Sequence, residues 1–470
     1  MDPTRDGMTS HPDPYESVTI LGPGTVVTCL GRPEVVTNGA VVWKGDRIVK
    51  IGDAAELKKT YPHARTLNAH GGLILPGLVN LHHHFYSSLA RGLAPGRPLE
   101  NFGEILDGLW WRLDRALDAD TIRLSAELAL ADSIRWGATT IFDHHASPSM
   151  IDGSLELIAG SVDQAGLSAV LCYEISDRNG HEDAMIGLEE NLDFFRARRT
   201  DPRVRGMLGF HASFTIEERT FAKAADQRLD GMGCHIHVAE DALDLRMSKM
   251  VYDSGPIERL DRYGLIDDRT LAVHCIHLGS DDRRLLADRG AVIIHNPESN
   301  ANNGVGRLDL QVAADDGCRI GLGTDGMSSA MLGSLRAAFL GLRGGRRDPR
   351  LGFSVVPDLL GVNAEVAGRF LDEPLLGRLQ SGAPADLCVL DSAPPTPVTP
   401  DNVFAHLVYG SAGSPVRHTI ARGRILMEDH RLTTVDPEGI VREALTATPA
   451  LWDRFHALGP TTPDWLPTKD

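Results

Sequence analysis

Cysteine is scarce in this 470-residue chain, and long hydrophobic runs are absent from it. The six cysteines lie far apart and form no CxxC pair, which excludes a disulfide framework and a thiolate metal site. No apolar run reaches the length that a membrane span needs. Lysine and arginine total 47 against 64 aspartates and glutamates, and the net charge of -17 disfavours a nucleic-acid partner. We therefore expect a globular protein that acts on a small molecule.

The two ends of the chain carry little sign of a packed core. Residues 1–17 are polar, rich in proline and aspartate, and lack the apolar stretch of a signal peptide. We expect a loose tail there and a cytoplasmic protein. Residues 431–470 predict a helical extension that becomes proline-rich and loose towards its end.

The hydrophobic pattern divides the rest of the chain into two kinds of structure. Short β-rich runs with turn signals occupy residues 18–74 and 384–430, and we expect them to combine into one β-sandwich. Between them, residues 75–383 alternate strand candidates with helical stretches, which predicts an α/β fold, a closed (β/α)₈ TIM-like barrel. The basic, glycine-rich stretch 343–350 predicts a solvated loop, and a mobile lid over residues 343–356 is the alternative.

Histidines cluster at the ends of the predicted barrel strands. The chain has 19 of them. In a barrel of this kind the carboxyl ends of all strands open onto one face, where catalytic groups gather. So many polar side chains at strand ends are not expected by chance. The residues in question are His82, His84, His211, His237, His274, His295 and Asp325.

Two of these histidines have the spacing of metal ligands on a strand. His82 and His84 are two residues apart, so both imidazoles lie on one side, whereas His83 points away and is expected to be structural. With His237 and Asp325 added, three imidazoles and one carboxylate form a mononuclear site with room for a water. Zinc is the first expectation for the divalent ion, and iron also fits.

A carboxylate follows one of the predicted ligands at short range. Glu240 comes three residues after His237, within reach of a water in the site but outside the ligand set. A carboxyl that moves protons there suits a hydrolase. The alternative is a glutamate at a helix N-terminus, which the helix dipole favours.

Lysine is too rare in the barrel region for a lysine-bridged pair of metal ions. Lys223 is the single lysine between Lys59 and Lys249. It lies in a helical context, away from any strand end. We therefore expect one metal ion.

The motifs around these residues resemble those of the amidohydrolase superfamily. Within it they are similar to the cytosine, guanine and S-adenosylhomocysteine deaminases and to atrazine chlorohydrolase. Two further runs, 85–88 and 143–148, look like SsnA-type aminohydrolases, which tilts the expectation towards a purine-like ring. The motifs are Pro76 to His84 with Arg91-Gly92, His211 to Thr215, His235 to Glu240, Ala272 to Cys275, His295 to Asn300, Gly323 to Asp325 and Gly382 to Leu387.

The resemblance implies a reaction and a set of site residues. A divalent metal activates water, Asp325 takes its proton with help from His274, and Glu240 protonates a ring nitrogen before ammonia leaves. The implied enzyme is a hydrolytic deaminase of an amino-substituted N-heterocycle such as a purine, pyrimidine, pterin or triazine. A homodimer is also implied. The expected substrate contacts are His211, Arg91, His145, Tyr173 and His295, with Glu174 as a further residue that could line the pocket.

Several alternatives stay open at this point. Related oxopurine deaminases carry glutamine where this chain has Ser87, so an oxopurine contact is not implied. The ligands do not specify the leaving group, so a dechlorinating or amide- or amidine-cleaving hydrolase is the second candidate. A scaffold without activity is disfavoured by the complete ligand set and Glu240.

Overall fold

The computed structural model describes residues 18–459, so the predicted N-terminal tail and the last eleven residues lie outside the described part. Within these residues, no helix is long and apolar enough to cross a membrane. The strands are β1 Val18–Val27, β2 Val35–Lys44, β3 Arg47–Asp53, β4 Arg65–Leu67, β5 Leu73–Pro76, β6 Leu78–His83, β7 Ala138–His145, β8 Ser168–Ile175, β9 Val204–Gly206, β10 Leu208–Ala212, β11 Cys234–Val238, β12 Thr270–His274, β13 Val292–His295, β14 Arg319–Leu322, β15 Leu387–Leu390, β16 Val416–Ala421, β17 Arg424–Glu428 and β18 Arg431–Leu432. The α-helices are α1 Ala54–Thr60, α2 Phe102–Ile105, α3 Trp111–Ala116, α4 Ala119–Arg135, α5 Ser154–Ala165, α6 His181–Ala197, α7 Glu218–Gln227, α8 Ala242–Tyr252, α9 Pro256–Arg262, α10 Ser280–Arg289, α11 Pro297–Asn303, α12 Leu310–Asp315, α13 Met331–Arg346, α14 Leu359–Phe370, α15 Val403–Ala405 and α16 Pro437–Ala457.

The centre of the molecule is a parallel barrel, which confirms the predicted α/β fold. Its strand order is β6, β7, β8, β10, β11, β12, β13 and β14, with β9 pairing beside β8. Every residue of β7 and of β8 is buried, as expected for strands covered on both faces. Residues 204–212 form two strands, because β9 ends before Met207 and β10 begins after it.

The two β-rich ends of the chain share a second, separate sheet. β5 from the N-terminal segment pairs antiparallel with β15 from the C-terminal segment, and Leu73 lies opposite Leu390. This pairing makes one continuous nine-stranded sheet, whose apolar side includes Trp43 and Ile48. β18 extends the sheet two residues beyond the predicted edge at residue 430.

A single glycine marks the passage from this sheet to the barrel. β5 belongs to the terminal sheet, whereas β6, which follows it after one residue, belongs to the barrel. Gly77 lies between them, and a Cβ at this position would be 2.2 Å from Thr139 Oγ1. The close approach to β7 therefore requires the missing side chain.

A side chain joins the first and last strands of the barrel. Asn363 of α14 is fully buried between β6 and β14. Its Nδ2 donates to Val79 O and to Leu322 O, each at 2.7 Å, and its Oδ1 accepts from Leu322 N at 2.8 Å. Because one amide satisfies backbone groups of both strands, it links the chain's two most distant barrel strands.

The basic stretch near residue 345 differs from the prediction. α13 continues to Arg346, so the first residues of the predicted loop 343–350 are helical. Arg343 stabilises this end: its guanidinium lies 4.1 Å from the ring centre of Phe339, and its Nε donates to Leu351 O. None of the residues 343–356 lines the site cavity described below, so the structure gives no support to a lid there.

Replacing the linking amide should weaken the barrel. In Asn363→Ala, three buried hydrogen bonds are lost, and we expect the free energy of unfolding to fall by about 2 to 4 kcal/mol. The measurement is urea denaturation followed by tryptophan fluorescence. The control is Glu365→Ala, an exposed position on the same helix, which should change stability by less than about 0.5 kcal/mol. Equal losses in the two variants would contradict the role given to Asn363.

Candidate active site

The predicted site residues gather where the barrel strands end. β6 ends at His83, β11 is followed by Ala239, β12 ends at His274, and β14 is followed by a short turn to Asp325. Ala239, His274 and Asp325 have φ angles of 45°, 71° and 56°. Non-glycine residues rarely adopt this left-handed conformation, and such strain concentrates at functional sites. The strained turns direct the side chains that follow the strands towards one centre.

The four predicted metal ligands, His82, His84, His237 and Asp325, form a compact cluster. The ligand atoms of His82, His84 and His237 lie within 4.8 Å of one another, as do those of His82, His274 and Asp325. Asp325 Oδ1 is 3.2 Å from His84 Nε2 and 3.7 Å from His82 Nε2. The structure thus brings together all four residues that the sequence predicts as metal ligands.

The hydrogen bonds of His84 and His237 show that the cluster is arranged to bind a cation. His84 Nδ1 lies 2.6 Å from His144 O, and His237 Nδ1 lies 2.8 Å from His211 O. A carbonyl oxygen only accepts, so both Nδ1 atoms carry hydrogen, and in the neutral form of each ring, which is the form that binds a metal, Nε2 presents a lone pair. These two Nε2 atoms are only 3.3 Å apart. His82 Nε2 is also buried and, among residues 18–459, has no hydrogen-bond partner. A cation bound between the lone pairs resolves this arrangement, so the residues fit a divalent metal.

The charge of Asp325 is kept in place by its neighbours. Burial works to raise its pKa, but the adjacent imidazoles of His82 and His84 outweigh burial and hold the pKa well below the usual value. Ser299 Oγ donates to Asp325 Oδ2 at 2.6 Å, and Gly326 N donates to Oδ1 at 2.8 Å. An ionised carboxylate therefore faces the three imidazoles.

The opposite protonation is favoured at Glu240. Burial raises its pKa well above the usual value, and the negative charge of Asp325 raises it further. Its Oε2 lies 3.3 Å from His274 Nε2, and Asn303 Nδ2 donates to its Oε1 at 3.3 Å. His274 Nδ1 donates to Asn300 Oδ1 at 2.7 Å, which leaves its Nε2 as an acceptor. A proton-bearing carboxyl and a proton-accepting imidazole therefore face each other beside Asp325.

A cavity of about 370 Å³ opens from this cluster. This volume is within the range of roughly 300–1,000 Å³ found for small-molecule sites. One side is aromatic and aliphatic, and the other carries carboxylates. Its lining includes Phe102, Leu106, Leu109, Trp110, Trp111, Phe214 and Met327 on the first side and Asp114, Glu174, Glu240, Asp241, Asp244 and Asp325 on the second.

Two of the lining carboxylates share one buried arginine. Arg178 donates to Glu174 Oε1 and to Asp114 Oδ2, and all three side chains are almost fully buried. Asp114 Oδ1 is buried and has no hydrogen-bond partner in the described part of the chain, and the same holds for Trp111 Nε1. One acceptor and one donor of residues that line the cavity are therefore buried and unsatisfied.

The predicted substrate contacts divide into two groups. His211 and Arg91 line the cavity, and so does Glu174. Burial lowers the pKa of His211 to about 3, so this ring is neutral. Arg91 lies at the mouth, where its side chain is 61% exposed and 3.8 Å from Asp132.

The other three predicted contacts do not line this cavity. His145 Nε2 bonds to Ser147 Oγ at 2.9 Å, and the ring of Tyr173 packs where Gly187 of α6 leaves space. Alternate residues of a strand point to opposite sides, and in β8 it is Glu174, not Tyr173, that faces the cavity. His295 lines a separate cavity of about 540 Å³, because α11 lies between it and the site.

Sequence reasoning missed Asp114, Trp111 and Arg178. All three come from loops or short helices that follow strands rather than from strand ends. Two signals were available: the adjacent pair Trp110-Trp111 in a chain with six tryptophans, and the four-residue spacing from Glu174 to Arg178.

The chain was compared with known families and proteins. The amidohydrolase family profile matches residues 73–426. A 5-methylthioadenosine/S-adenosylhomocysteine deaminase of Haloarcula marismortui is 32% identical over 397 residues, covering 83% of this chain and 89% of that one. A 5'-deoxyadenosine deaminase of Methanosarcina barkeri is 30% identical over 430 residues, covering 89% and 95%. The crystal structure of an adenosine deaminase from Xanthomonas campestris with bound zinc has the same fold, with a TM-score of 0.80 at 24% identity over 95% of this chain and 100% of that one.

The cluster should bind one metal ion per chain. We expect elemental analysis of the purified protein to give about one equivalent of a divalent metal, with His237→Ala reducing it to near zero. Asp325→Asn should lower the content less, because three imidazoles remain. The control is His418→Ala, a buried histidine of the terminal sheet, which should keep the metal. Full occupancy in His237→Ala would contradict this ligand set.

Proposed function

The chain belongs to the amidohydrolase family, and from this premise we propose that it removes the 6-amino group of an adenosine-like nucleoside with a neutral 5' substituent. Metal-dependent hydrolytic deamination of an amino-substituted N-heterocycle, predicted from the sequence, is confirmed as the enzyme class. Both named relatives act on nucleosides built on adenosine, which supports the narrower substrate class.

We assign the metal to His82, His84, His237 and Asp325, and we propose zinc before iron. When bound there, a divalent cation supplies positive charge that makes a water molecule more acidic and the reacting ring carbon more electrophilic. The relative of the same fold with bound zinc supports this choice. A homodimer and a cytoplasmic location stay predictions.

The observation that carries the proposal is the pairing of Glu240 with His274 beside Asp325. Oε2 of Glu240 is 3.3 Å from His274 Nε2, which is itself 3.7 Å from Asp325 Oδ2. Glu240 holds a proton that it can deliver to the ring nitrogen next to the amino-bearing carbon. The ionised Asp325 and the neutral His274 accept the proton that the attacking water loses. The C–O bond forms, and the proton taken up by Asp325 or His274 passes to the amino group. The proton of the new hydroxyl returns to Glu240, the C–N bond breaks, and ammonia leaves.

The raised pKa of Glu240 also favours deamination over dechlorination. An amino group needs a proton before it can leave, whereas chloride leaves as the anion. A carboxyl whose pKa is raised by burial and by the charge of Asp325, next to the expected position of the substrate ring, is suited to carry the proton that the first reaction requires.

The cavity wall supports a polar but uncharged substrate. Asp114 Oδ1 and Trp111 Nε1 are buried, so they pair with the substrate only after their side chains turn towards the cavity. Arg178 neutralises only part of the charge of Asp114 and Glu174, and further carboxylates line the same cavity. A 5' phosphate would meet this negative charge, so nucleotides are disfavoured.

A substrate screen tests the proposed function directly. With the zinc-loaded enzyme, we expect ammonia release from 5'-deoxyadenosine and 5'-methylthioadenosine at least about tenfold faster, in kcat/KM, than from adenosine 5'-monophosphate. Guanine, cytosine, a pterin and a chlorotriazine complete the panel. Ammonia from guanine, cytosine or the pterin alone, or chloride from the triazine alone, would overturn the adenosine-type assignment.

Substitution of the proton-carrying carboxyl tests the mechanism. Glu240→Gln keeps the shape of the side chain, but an amide cannot deliver and recover a proton at neutral pH. We expect kcat to fall by about 10³-fold or more with the metal content unchanged. The control Glu298→Gln alters a half-buried carboxylate that does not line the cavity, and it should keep kcat within about threefold. Near-normal turnover of metal-loaded Glu240→Gln would move the proton-transfer role elsewhere.

A further inference from the structure

We infer that His235 is a positioning residue: it fixes the tautomer of His82 through a directional chain of hydrogen bonds that continues to Cys172 and ends at a backbone carbonyl. The inference concerns the metal site and rests on that part of the proposed function, not on the identity of the substrate.

The hydrogen-bond contacts of His235 connect His82 to Cys172 in the barrel interior. His235 Nε2 lies 2.9 Å from His82 Nδ1, and His235 Nδ1 lies 3.8 Å from Cys172 Sγ. Cys172 Sγ is in turn 3.6 Å from Asp143 O. All three side chains in this line are fully buried, so no solvent competes for these hydrogen bonds.

The last acceptor in this series of hydrogen bonds determines which atom donates in each of them. The contact of Cys172 Sγ with Asp143 O, at 3.6 Å, is shorter than its contact with His235 Nδ1, at 3.8 Å, and the carbonyl can only accept. We therefore assign the single thiol hydrogen to Asp143 O, which leaves sulfur lone pairs towards His235. His235 then carries its hydrogen on Nδ1, facing the sulfur, and presents an Nε2 lone pair to His82. His82 Nδ1 must therefore be the donor, and its Nε2 is left free for a metal.

The reverse direction would disable the site. If His235 carried its hydrogen on Nε2, it would donate to His82 Nδ1, and the neutral ring of His82 would carry its own hydrogen on Nε2. That hydrogen would occupy the position of the metal. The tautomer of His235 is thus coupled to whether His82 can bind a cation.

This dependence separates His82 from the other two proposed histidine ligands. Nδ1 of His84 and of His237 faces a backbone carbonyl, a partner that no substitution can remove. His82 alone among the three relies on a side chain, and that side chain has two tautomers. Residues that orient metal ligands in this way typically change metal affinity by about 10–100-fold when they are removed.

Metal affinity, measured without substrate, tests the inference. In His235→Leu the acceptor is lost, and we expect competition with a zinc chelator to show about 10–100-fold weaker binding. In His235→Gln the amide oxygen can accept from His82 Nδ1, so affinity should return to within about threefold of the parent protein. His418→Leu removes an equally buried histidine from the terminal sheet and controls for a general loss of packing.

Two further measurements keep the test decisive if His235→Leu does not fold. Cys172→Ala removes the sulfur acceptor at a smaller loss of volume, and it should weaken zinc binding by a few-fold, whereas Cys172→Ser should not. Histidine ¹⁵N NMR of the zinc-loaded parent protein should show hydrogen on Nδ1 of both His82 and His235. Unchanged affinity in folded His235→Leu, or hydrogen on His235 Nε2, would overturn the inference.

The outcome is separable from that of the substrate screen. A parent protein that binds zinc but releases no ammonia from any adenosine-type compound contradicts the proposed substrate and leaves the His235 inference standing. A parent protein that binds no divalent metal overturns the inference together with the metal site.

Discussion

The site depends on the contact between the first and the last strands of the barrel. The backbone N–H groups of Thr324 and Asp325 both donate to His82 O at 3.0 Å, and His83 Nδ1 bonds to Asp325 O at 2.6 Å. Gly323 permits this approach, because a Cβ there would lie 2.8 Å from the Cβ of His82. Residues almost 250 positions apart are thereby fixed as neighbours, and the carboxylate of Asp325 is held against the imidazoles. Without this contact between the first and last strands, Asp325 would not lie beside the histidines, and the ligand set would be incomplete.

Two carboxyl groups then take opposite protonation states within one cluster. The adjacent imidazoles of His82 and His84 keep Asp325 ionised, whereas Glu240 is buried next to that negative charge. The environment rather than the residue type assigns the roles of base and acid. The separation of the two pKa values is what makes a proton transfer across the site directional.

The sequence predicted the parts of the site that follow from strand geometry. His82 and His84 share one side of β6 because alternate residues of a strand point the same way, and the strand ends of a barrel converge on one face. These two rules were sufficient to bring together His237, His274 and Asp325 as well. The same rules apply to any sequence in which strand ends are recognisable.

Strand geometry could not predict which residue of β8 faces the cavity or which residues contact Glu174. All eight residues of β8 are buried, so the hydrophobic pattern does not reveal whether Tyr173 or Glu174 faces the cavity. The partners of Glu174 come from distant loops, and the meeting of Asp114 with Arg178 depends on how those loops pack. Periodicity carries no information on either point.

Buried polar groups distinguish the two halves of the site. Around the metal position, each proposed ligand has a hydrogen-bond partner behind it: a carbonyl for His84 and for His237, His235 for His82, and Ser299 for Asp325. In the substrate cavity, by contrast, Asp114 Oδ1 and Trp111 Nε1 remain without partners in the described part of the chain. Ligand orientation is built into the folded protein, whereas these two wall atoms are buried and shielded from the cavity. Because an unpaired buried polar group costs free energy, a rearrangement that gives either atom a partner on substrate binding is favourable. Asp114 and Trp111 are therefore the wall residues that gain most by turning towards a polar substrate, a constraint that the metal cluster alone does not impose.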